Sequence, residues 1–514
     1  MTHFAHSRLF QCFGVLSTSR LSLSAALAGS AFALAACSFG PNGEPPAMPQ
    51  PVHYGAGAQP AETVPAQGVR QQFVVGAKPV PEWWKLYRSE ALNALVDEGL
   101  RNSPTLAATE KSLAAAREQL RAQIGSSLLP TIDAGGQATR NRALAIPEFG
   151  SNTFLYNIFV GQLQAHYTID LFGAARLADT ALAARVNVQA YQLDAARRAL
   201  AANIVSAAIT SAALRAQIDT TERLVTLAND QARDTQRRYV LGAVSHADQL
   251  SAQQSAASLS ASLPGLRQQW LTTRHALAVL LGRTPDAAPD DLELARLHLP
   301  EQVPVVVPSE LLRARPDIQA ADAALKAAAA EVGVATAQMY PSLSLSASMG
   351  QGGFSWPAAL SGAGAIWSIG ASLSQPLFHG GALVAQRRAA MDTYDAAVSQ
   401  YKQTVLAAFQ NVADTLAAIG HDAQALDAAN TAARAAQGIF DESSGRYRLG
   451  AVPVSSTRTS EQQWRNAQLD EIRYMSARLT DTAALFQAMG NPPVEAGESR
   501  ASSRASEVKP GNPN

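Results

Sequence analysis

From Pro341 onward the chain alternates strictly between two kinds of side chain. Leu343, Leu345, Ala347 and Met349 are separated by Ser342, Ser344, Ser346 and Ser348, and Trp367, Ile369, Ala371 and Leu373 by Ser368, Gly370, Ser372 and Ser374. In the first half of the chain Phe159, Gly161, Leu163, Ala165, Tyr167 and Ile169 alternate with Gln162, Gln164, His166, Thr168 and Asp170. A weaker fourth stretch, Thr131 to Thr139, sets Ile132 and Ala134 against Asp133, Gln137 and Thr139. A period of two predicts strands with one apolar and one polar face. Runs of about ten residues fit strands that tilt across a bilayer between lipid and water. A half-exposed sheet in a soluble domain has the same pattern, so alternation alone leaves both open. Four strands cannot close a barrel wide enough for water, and an open sheet in lipid leaves unsatisfied edges. Strands in a membrane must therefore be pooled among copies of the chain. Three copies would give twelve strands, a number the pattern itself does not fix.

Elsewhere the period is helical. Leu200, Ile204, Ala207, Ser211, Leu214, Ile218, Thr221 and Val225 are spaced alternately four and three. Tyr394, Val398, Tyr401, Val405, Ala408, Val412, Thr415 and Ile419 repeat the spacing. This is a coiled-coil seam with small residues that permit close approach. A helix from about Gly173 to Val240 would be about 100 Å long at a rise of about 1.5 Å per residue. That length suits a pillar across an aqueous compartment better than a globular domain.

The layout occurs twice. Arg238-Tyr239-Val240-Leu241-Gly242-Ala243-Val244 returns 208 residues later as Arg446-Tyr447-Arg448-Leu449-Gly450-Ala451-Val452, and Leu281-Gly282 returns at the same offset as Met489-Gly490. Two matches locked to one offset indicate an internal duplication of a long helical hairpin. Gly242 and Gly450 stand where a helix C-terminus needs a positive φ. The predicted first repeat covers 82–282, with strands near 131–140 and 158–170 and helices 104–129, 173–241 and 246–281. An inter-repeat segment, 283–315, precedes a second repeat at 316–490, with strands near 342–350 and 364–375 and helices 316–340, 380–449 and 455–489. Pro104 and Pro316 are placed as first helical residues. Pro264 predicts a break or kink in the first return helix, Ser89 to Arg101 a short helix, and Gly350-Gln351-Gly352-Gly353 the loop between strands three and four.

The amino terminus changes the picture of location. Arg8 and Arg20 precede an apolar run, Leu21 to Ala36, and Leu34-Ala35-Ala36-Cys37 resembles the bacterial lipobox. Residues 1–36 are thus read as a cleaved signal and Cys37 as the lipidation site. Cys12 would be removed with the signal, leaving no partner for a disulfide. Several acyl chains anchor stably where one is marginal, and Ser38 after the cysteine resembles lipoproteins sent to the outer membrane. The Pro- and Gly-rich stretch 37–81 reads as an extended tether, and the polar tail 491–514 as disordered. No other segment approaches the roughly 20 apolar residues of a spanning helix, so any crossing must be made by strands.

Charge and candidate chemistry exclude more than they add. The 514 residues carry no net charge, which gives no electrostatic footprint for nucleic acid. The nine histidines are scattered without zinc-ligand spacing. Ser245, His246 and Asp248 are triad residue types, but neighbours on one turn cannot adopt triad geometry. The reading is of no enzyme, with no catalytic, cofactor-binding or metal residues.

Tyr167-Thr168-Ile169-Asp170-Leu171-Phe172-Gly173 resembles the strand-to-helix junction of bacterial outer-membrane efflux channels, and Gln375-Pro376-Leu377-Phe378-His379-Gly380-Gly381 resembles its counterpart in their second repeat. Leu312-Arg313-Ala314-Arg315-Pro316-Asp317-Ile318 and Leu280-Leu281-Gly282-Arg283 complete a set that, with the lipobox, resembles the NodT-type lipoprotein branch of the TolC-like outer-membrane factors. The resemblance runs from about Trp83 to Pro492. It implies a mixed, mainly α, fold of two tandem repeats. Four strands per chain would enter a trimeric twelve-stranded transmembrane β-barrel, continued by a long coiled-coil α-helical barrel with an equatorial belt. It further implies a homotrimer in outer-membrane lipid that works with a periplasmic membrane-fusion adaptor and an inner-membrane efflux transporter. Such a channel is a passive gated exit for small molecules such as drugs. The reading from another class is a non-conducting periplasmic helical-hairpin adaptor or envelope scaffold lipoprotein, which would need no lipid-facing alternation.

On this resemblance the glycine turns lie at the periplasmic tip, and Leu241, Gly242, Ala243, Leu449, Gly450, Ala451 and Val452 are expected to dock the adaptor. Asp234, Arg238, Tyr239, Asp441, Glu442, Arg446 and Tyr447 are candidate gate residues, because a lumenal acid in an oligomer becomes a ring. A solvated helix face is the commoner explanation of such acids. The family's aperture acids commonly follow the second turn, where this chain has Val452-Pro453-Val454-Ser455. A selectivity ring therefore does not transfer.

Overall fold

The computed structural model describes residues 39–49, 51–55, 60–77, 80–144 and 153–490. The expected signal, Cys37 and the tail 491–514 lie outside the described residues. The chain divides into two compact units. Of the described residues, one contains those of 39–45, 114–187 and 322–399; the other contains those of 46–113, 188–321 and 400–490.

The first unit holds the strands. β2 (Thr131–Leu144), β3 (Thr153–Ile169), β5 (Ser342–Gly353) and β6 (Ala365–Ser374) form an antiparallel sheet in the order β2-β3-β5-β6. Its register makes the alternation of single strands into two faces. Ala134, Leu163, Met349 and Trp367 share one row, and Ile132, Ala165, Ala347 and Ile369 the next on the same side. Between them on the opposite side run Asp133, Gln164, Ser348 and Ser368. Trp367 and Ile369 are 77% and 79% exposed, so nothing among the described residues of one chain covers the apolar face there. A sheet of this composition without a cover is stable only where something apolar replaces water.

Two sequence-based expectations need correction here. Gly350-Gln351-Gly352-Gly353 is not a loop but the end of β5; the connection is 354–364 and contains the short helix α7 (Trp356–Ala359). Gly350 is needed in the ladder because a Cβ there would stand 2.2 Å from the Gly161 carbonyl oxygen, so the strands approach closely. The stretch 37–81 is not simply a tether. Phe39 packs 4.8 Å from Tyr340 and 6.3 Å from Phe172, ring centre to ring centre. Gly333 of α6 (Pro316–Ala337) accommodates the Phe39 carbonyl, which a Cβ would approach to 2.3 Å.

The second unit adds to this correction. β1 (Gln72–Val75) lies inside the expected tether and pairs in parallel with β4 (Gln302–Val305) of the inter-repeat segment. A 3₁₀ turn, Trp83–Tyr87, follows; Trp83 stacks on Phe486 at 5.4 Å and 11°, and the Tyr87 hydroxyl donates to the Leu479 carbonyl at 2.7 Å. α1 (Glu90–Asn102) is capped by Ser89, whose side chain accepts from the Leu92 amide, and α2 (Pro104–Leu128) and α5 (Pro308–Ala314) complete the short helices.

Two hairpins carry the rest of the chain: α3 (Ala174–Val240) with α4 (His246–Leu280), and α8 (Ala382–Arg448) with α9 (Val454–Met489). α3 and α8 each have 67 residues, about 100 Å at the helical rise. The seam residues Ile204, Ser211, Ile218 and Thr221 of α3 are buried, as are Tyr401, Val405, Ala408, Val412 and Ile419 of α8. α3 also buries Ala201, Val205, Ala208 and Ile209, so it is surrounded where α8 has a single stripe. This corrects the statement that no segment nears spanning length: a window of α3 has the mean hydropathy of a membrane span, at 1.4, but is 61% buried. Alanine on every side is here a packing surface. Pro264 neither ends nor divides α4. Neighbouring Leu263 is buried and Arg267 reaches Glu222 of α3 at 2.7 Å, so hairpin packing holds the helix through the missing hydrogen bond.

Candidate functional site

The two glycine turns are built alike. Gly242 has φ +71 and Gly450 φ +76. The Gly242 amide donates to Tyr239 O and the Ala243 amide to Arg238 O, both at 2.8 Å; Gly450 to Tyr447 O and Ala451 to Arg446 O repeat this at 2.9 Å. These paired bonds close the helix ends and need a left-handed residue, which explains glycine at both. Neither Gly242 nor Gly450 has an atom within 4 Å of a Cβ position, so φ alone demands them. With their carbonyls satisfied, the turns push apolar side chains outward: Leu241 is 81% and Leu449 86% exposed. Beyond the first turn, Ser245 and Asp248 form a capping box, and the Ser245 bonds hold the Asp248 carboxyl below its usual range. Their closeness is that of a helix cap.

Near the turns the candidate gate residues separate. Asp234 pairs with Arg237 of its own helix and with Arg458 of α9, so an ion pair joins the first hairpin to the second. Glu442 pairs with Arg446 at 3.2 Å one turn away. Asp441 is exposed and directed to solvent. Tyr239 packs on His246 at 5.2 Å, within its own hairpin, while Tyr447 is 46% exposed. Arg238 is exposed beside its turn. Sequence reasoning missed Arg458, because nothing in the spacing links a residue eight positions past Gly450 to the opposite repeat. Further along the same hairpin, Phe440 stacks on Trp464 at 5.3 Å and Arg465 lies 4.0 Å over Trp464.

The motif residues between the repeats act as joints. Gly282 has φ +76, and a Cβ there would lie 2.5 Å from Asn102 O at the end of α1. Gly490, its counterpart, has φ +66 and stands equally close to Ala314 O at the end of α5. Arg283 forks onto both carboxylate oxygens of Glu98 at 2.6 Å. Arg315 grips Asp317 and donates to Ala488 O at 2.8 Å.

On the polar face β5 and β6 present small hydroxyl side chains, with Ser348 and Ser368 hydrogen-bonded at 2.9 Å, while β3 presents Gln162, Gln164 and His166. Asp133 and His166 are titratable groups in its central rows. Serine and glycine leave room and offer weak hydrogen bonds, which suits passage rather than retention.

Set beside known proteins, this arrangement has close parallels. The family described as outer membrane efflux protein matches residues 95–283 and 307–491, one match per repeat. Outer membrane protein OprJ of Pseudomonas aeruginosa is 30% identical over 482 residues, covering 90% of this chain and 94% of that protein. Nodulation protein T of Rhizobium leguminosarum bv. viciae is 28% identical over 445 residues, 85% of this chain and 86% of that protein. The crystal structure of the Campylobacter jejuni CmeC outer membrane channel superposes with a TM-score of 0.77 at 22% identity, covering 92% of this chain and 99% of that one. Strands with one uncovered apolar face, paired hairpins and a match to each repeat lead to one conclusion: the chain belongs to the outer membrane efflux protein family.

Proposed function

We propose that the protein is the outer-membrane channel of a tripartite efflux system, a passive gated duct that releases small molecules such as drugs from the periplasm or cell. The observation that carries this is the sheet. Among the described residues its apolar face has no cover, and its outer strands β2 and β6 each have one unpaired edge. Three copies joined edge to edge would make twelve strands with lipid outside and a serine-lined lumen inside. α8 supports the same association, since it buries one stripe and leaves Met391 and Leu406 on another side 43% and 51% exposed.

The apolar turn residues Leu241, Ala243, Leu449, Ala451 and Val452, held by Gly242 and Gly450, offer a docking surface to a periplasmic adaptor, through which an inner-membrane transporter supplies the energy. Asp234 is the central gate residue of this reading, because its bond to Arg458 links helices that must part for the tip to widen. The remaining candidates, Arg238, Tyr239, Asp441, Glu442, Arg446 and Tyr447, would line or flank that aperture. Cys37 would carry the lipid.

Purified protein in planar bilayers tests the reading. Small, infrequent openings are expected from the wild type and large sustained conductance from Arg458→Ala. Silence from both, with trimers inserted, would favour the non-conducting scaffold instead.

A further inference from the structure

The outward face of the sheet carries its charge at one end. Following the register through all four strands, the charged side chains on the apolar side are Arg140 and Arg142 of β2, both exposed. Arg142 Nε donates to Thr153 Oγ1 at 3.2 Å, a neighbour on the same side. Along β3 the outward positions below them run from Phe159 to Ile169. Ten residues of strand rise about 34 Å, or about 26 Å along the membrane normal at a tilt of about 40°, matching the apolar band of outer-membrane barrels.

Arg140 pairs with Asn157 and Arg142 with Leu155, so they occupy the first two outward rows above that band. This is the depth of lipid headgroups. It is also the end of the sheet where β2 connects to β3 and β5 to β6, opposite the ends that run into helices, and hence the external leaflet. Among the described strand residues no carboxylate shares the outward face. A neighbouring copy placing its β6 against β2 would add none, because outward β6 positions are Ala365, Trp367, Ile369, Ala371 and Leu373. Two arginines whose Cα atoms stand about 7 Å apart on one strand, at headgroup depth and with no carboxylate among the described strand residues of their face, match the charge and fork geometry of phosphate.

We propose that Arg140 and Arg142 form a site on the outer wall of the barrel for the phosphate groups of a phosphorylated lipid in the external leaflet. The proposal rests on the reading of the apolar face as lipid-facing.

Full-length protein in detergent can be titrated with a bis-phosphorylated glucosamine lipid, and with the same lipid after removal of its phosphates, while native mass spectrometry counts what is bound. The phosphorylated lipid should bind and the dephosphorylated one should not. Arg140→Gln with Arg142→Gln should weaken binding roughly thirtyfold, about fivefold per arginine, and the double lysine variant should keep most of it. The oligomer mass in the same spectra reports whether the variants assemble. Equal binding by the double glutamine variant, or by the dephosphorylated lipid, would overturn the site. The underlying reading is tested apart, by the fluorescence lost in Trp367→Phe: that Trp367 component should be quenched by brominated acyl chains. Its protection would remove the lipid-facing assignment whatever the arginines bind.

Discussion

Asp234 of the first hairpin and Arg458 of the second are joined by an ion pair, although they stand in different repeats and 224 positions apart. Both side chains are 23% exposed, so water screens the bond only in part. Arg458→Ala leaves Asp234 with Arg237 and should cost on the order of 1 kcal/mol or less in stability. Its main effect should be on the open state: conductance in planar bilayers is expected to rise, as is entry of large antibiotics into cells. A variant that conducts like the wild type would separate this pair from gating.

Gly282→Ala and Gly490→Ala should each weaken the fold by on the order of 2 kcal/mol or more. Both residues combine a positive φ with a backbone carbonyl 2.5 Å from the Cβ position, and no flexible side chain can yield there. Thermal unfolding followed by circular dichroism should show both midpoints lowered. Gly242→Ala, with open space around it, should show only the smaller cost of φ.

The two faces of the sheet predict opposite tolerance to charge. Ala347→Arg places a cation in the middle of the apolar side and should cost about 2 to 4 kcal/mol in the membrane. Ser346→Arg, one residue away on the polar side, should be tolerated. Recovery of heat-resistant oligomer from outer membranes would compare them directly, and equal recovery would contradict the assigned faces.

One group gives the second unit a pH response. Burial first, and then the adjoining Asp481, push the Asp422 carboxyl up to about 7, against the pull of Arg478. A carboxyl raised above its unfolded value contributes stability that is present in acid and is lost as pH rises to about 7. Unfolding by urea should therefore become easier between about pH 4 and pH 7, and Asp422→Asn should flatten that part of the profile. The region at stake is where Arg478 of α9 bonds Gln71 Oε1 at 3.0 Å and Thr63 Oγ1 at 3.1 Å, clasping the amino-terminal segment.

Much of this architecture was legible in the chain because it depends on period and on backbone chemistry. Serine at every second position of 342–348 can only be a strand with two unlike faces, and Gly242 and Gly450 mark helix ends because few residues tolerate positive φ. The 208-residue offset fixed two copies of one hairpin without reference to any contact. What sequence could not decide depends on which distant groups meet. β1 hides in a proline-rich stretch because its partner is β4, far along the chain. α4 passes through Pro264 because packing against α3 outweighs one lost hydrogen bond. Gly350 reads as a loop residue until the Gly161 carbonyl is seen against it. Arg140 and Arg142 are ordinary charges in sequence; only the four-strand register puts both on the apolar side, above its band. Local propensity is written residue by residue, whereas register, joints and ion pairs between repeats exist only after the chain has folded.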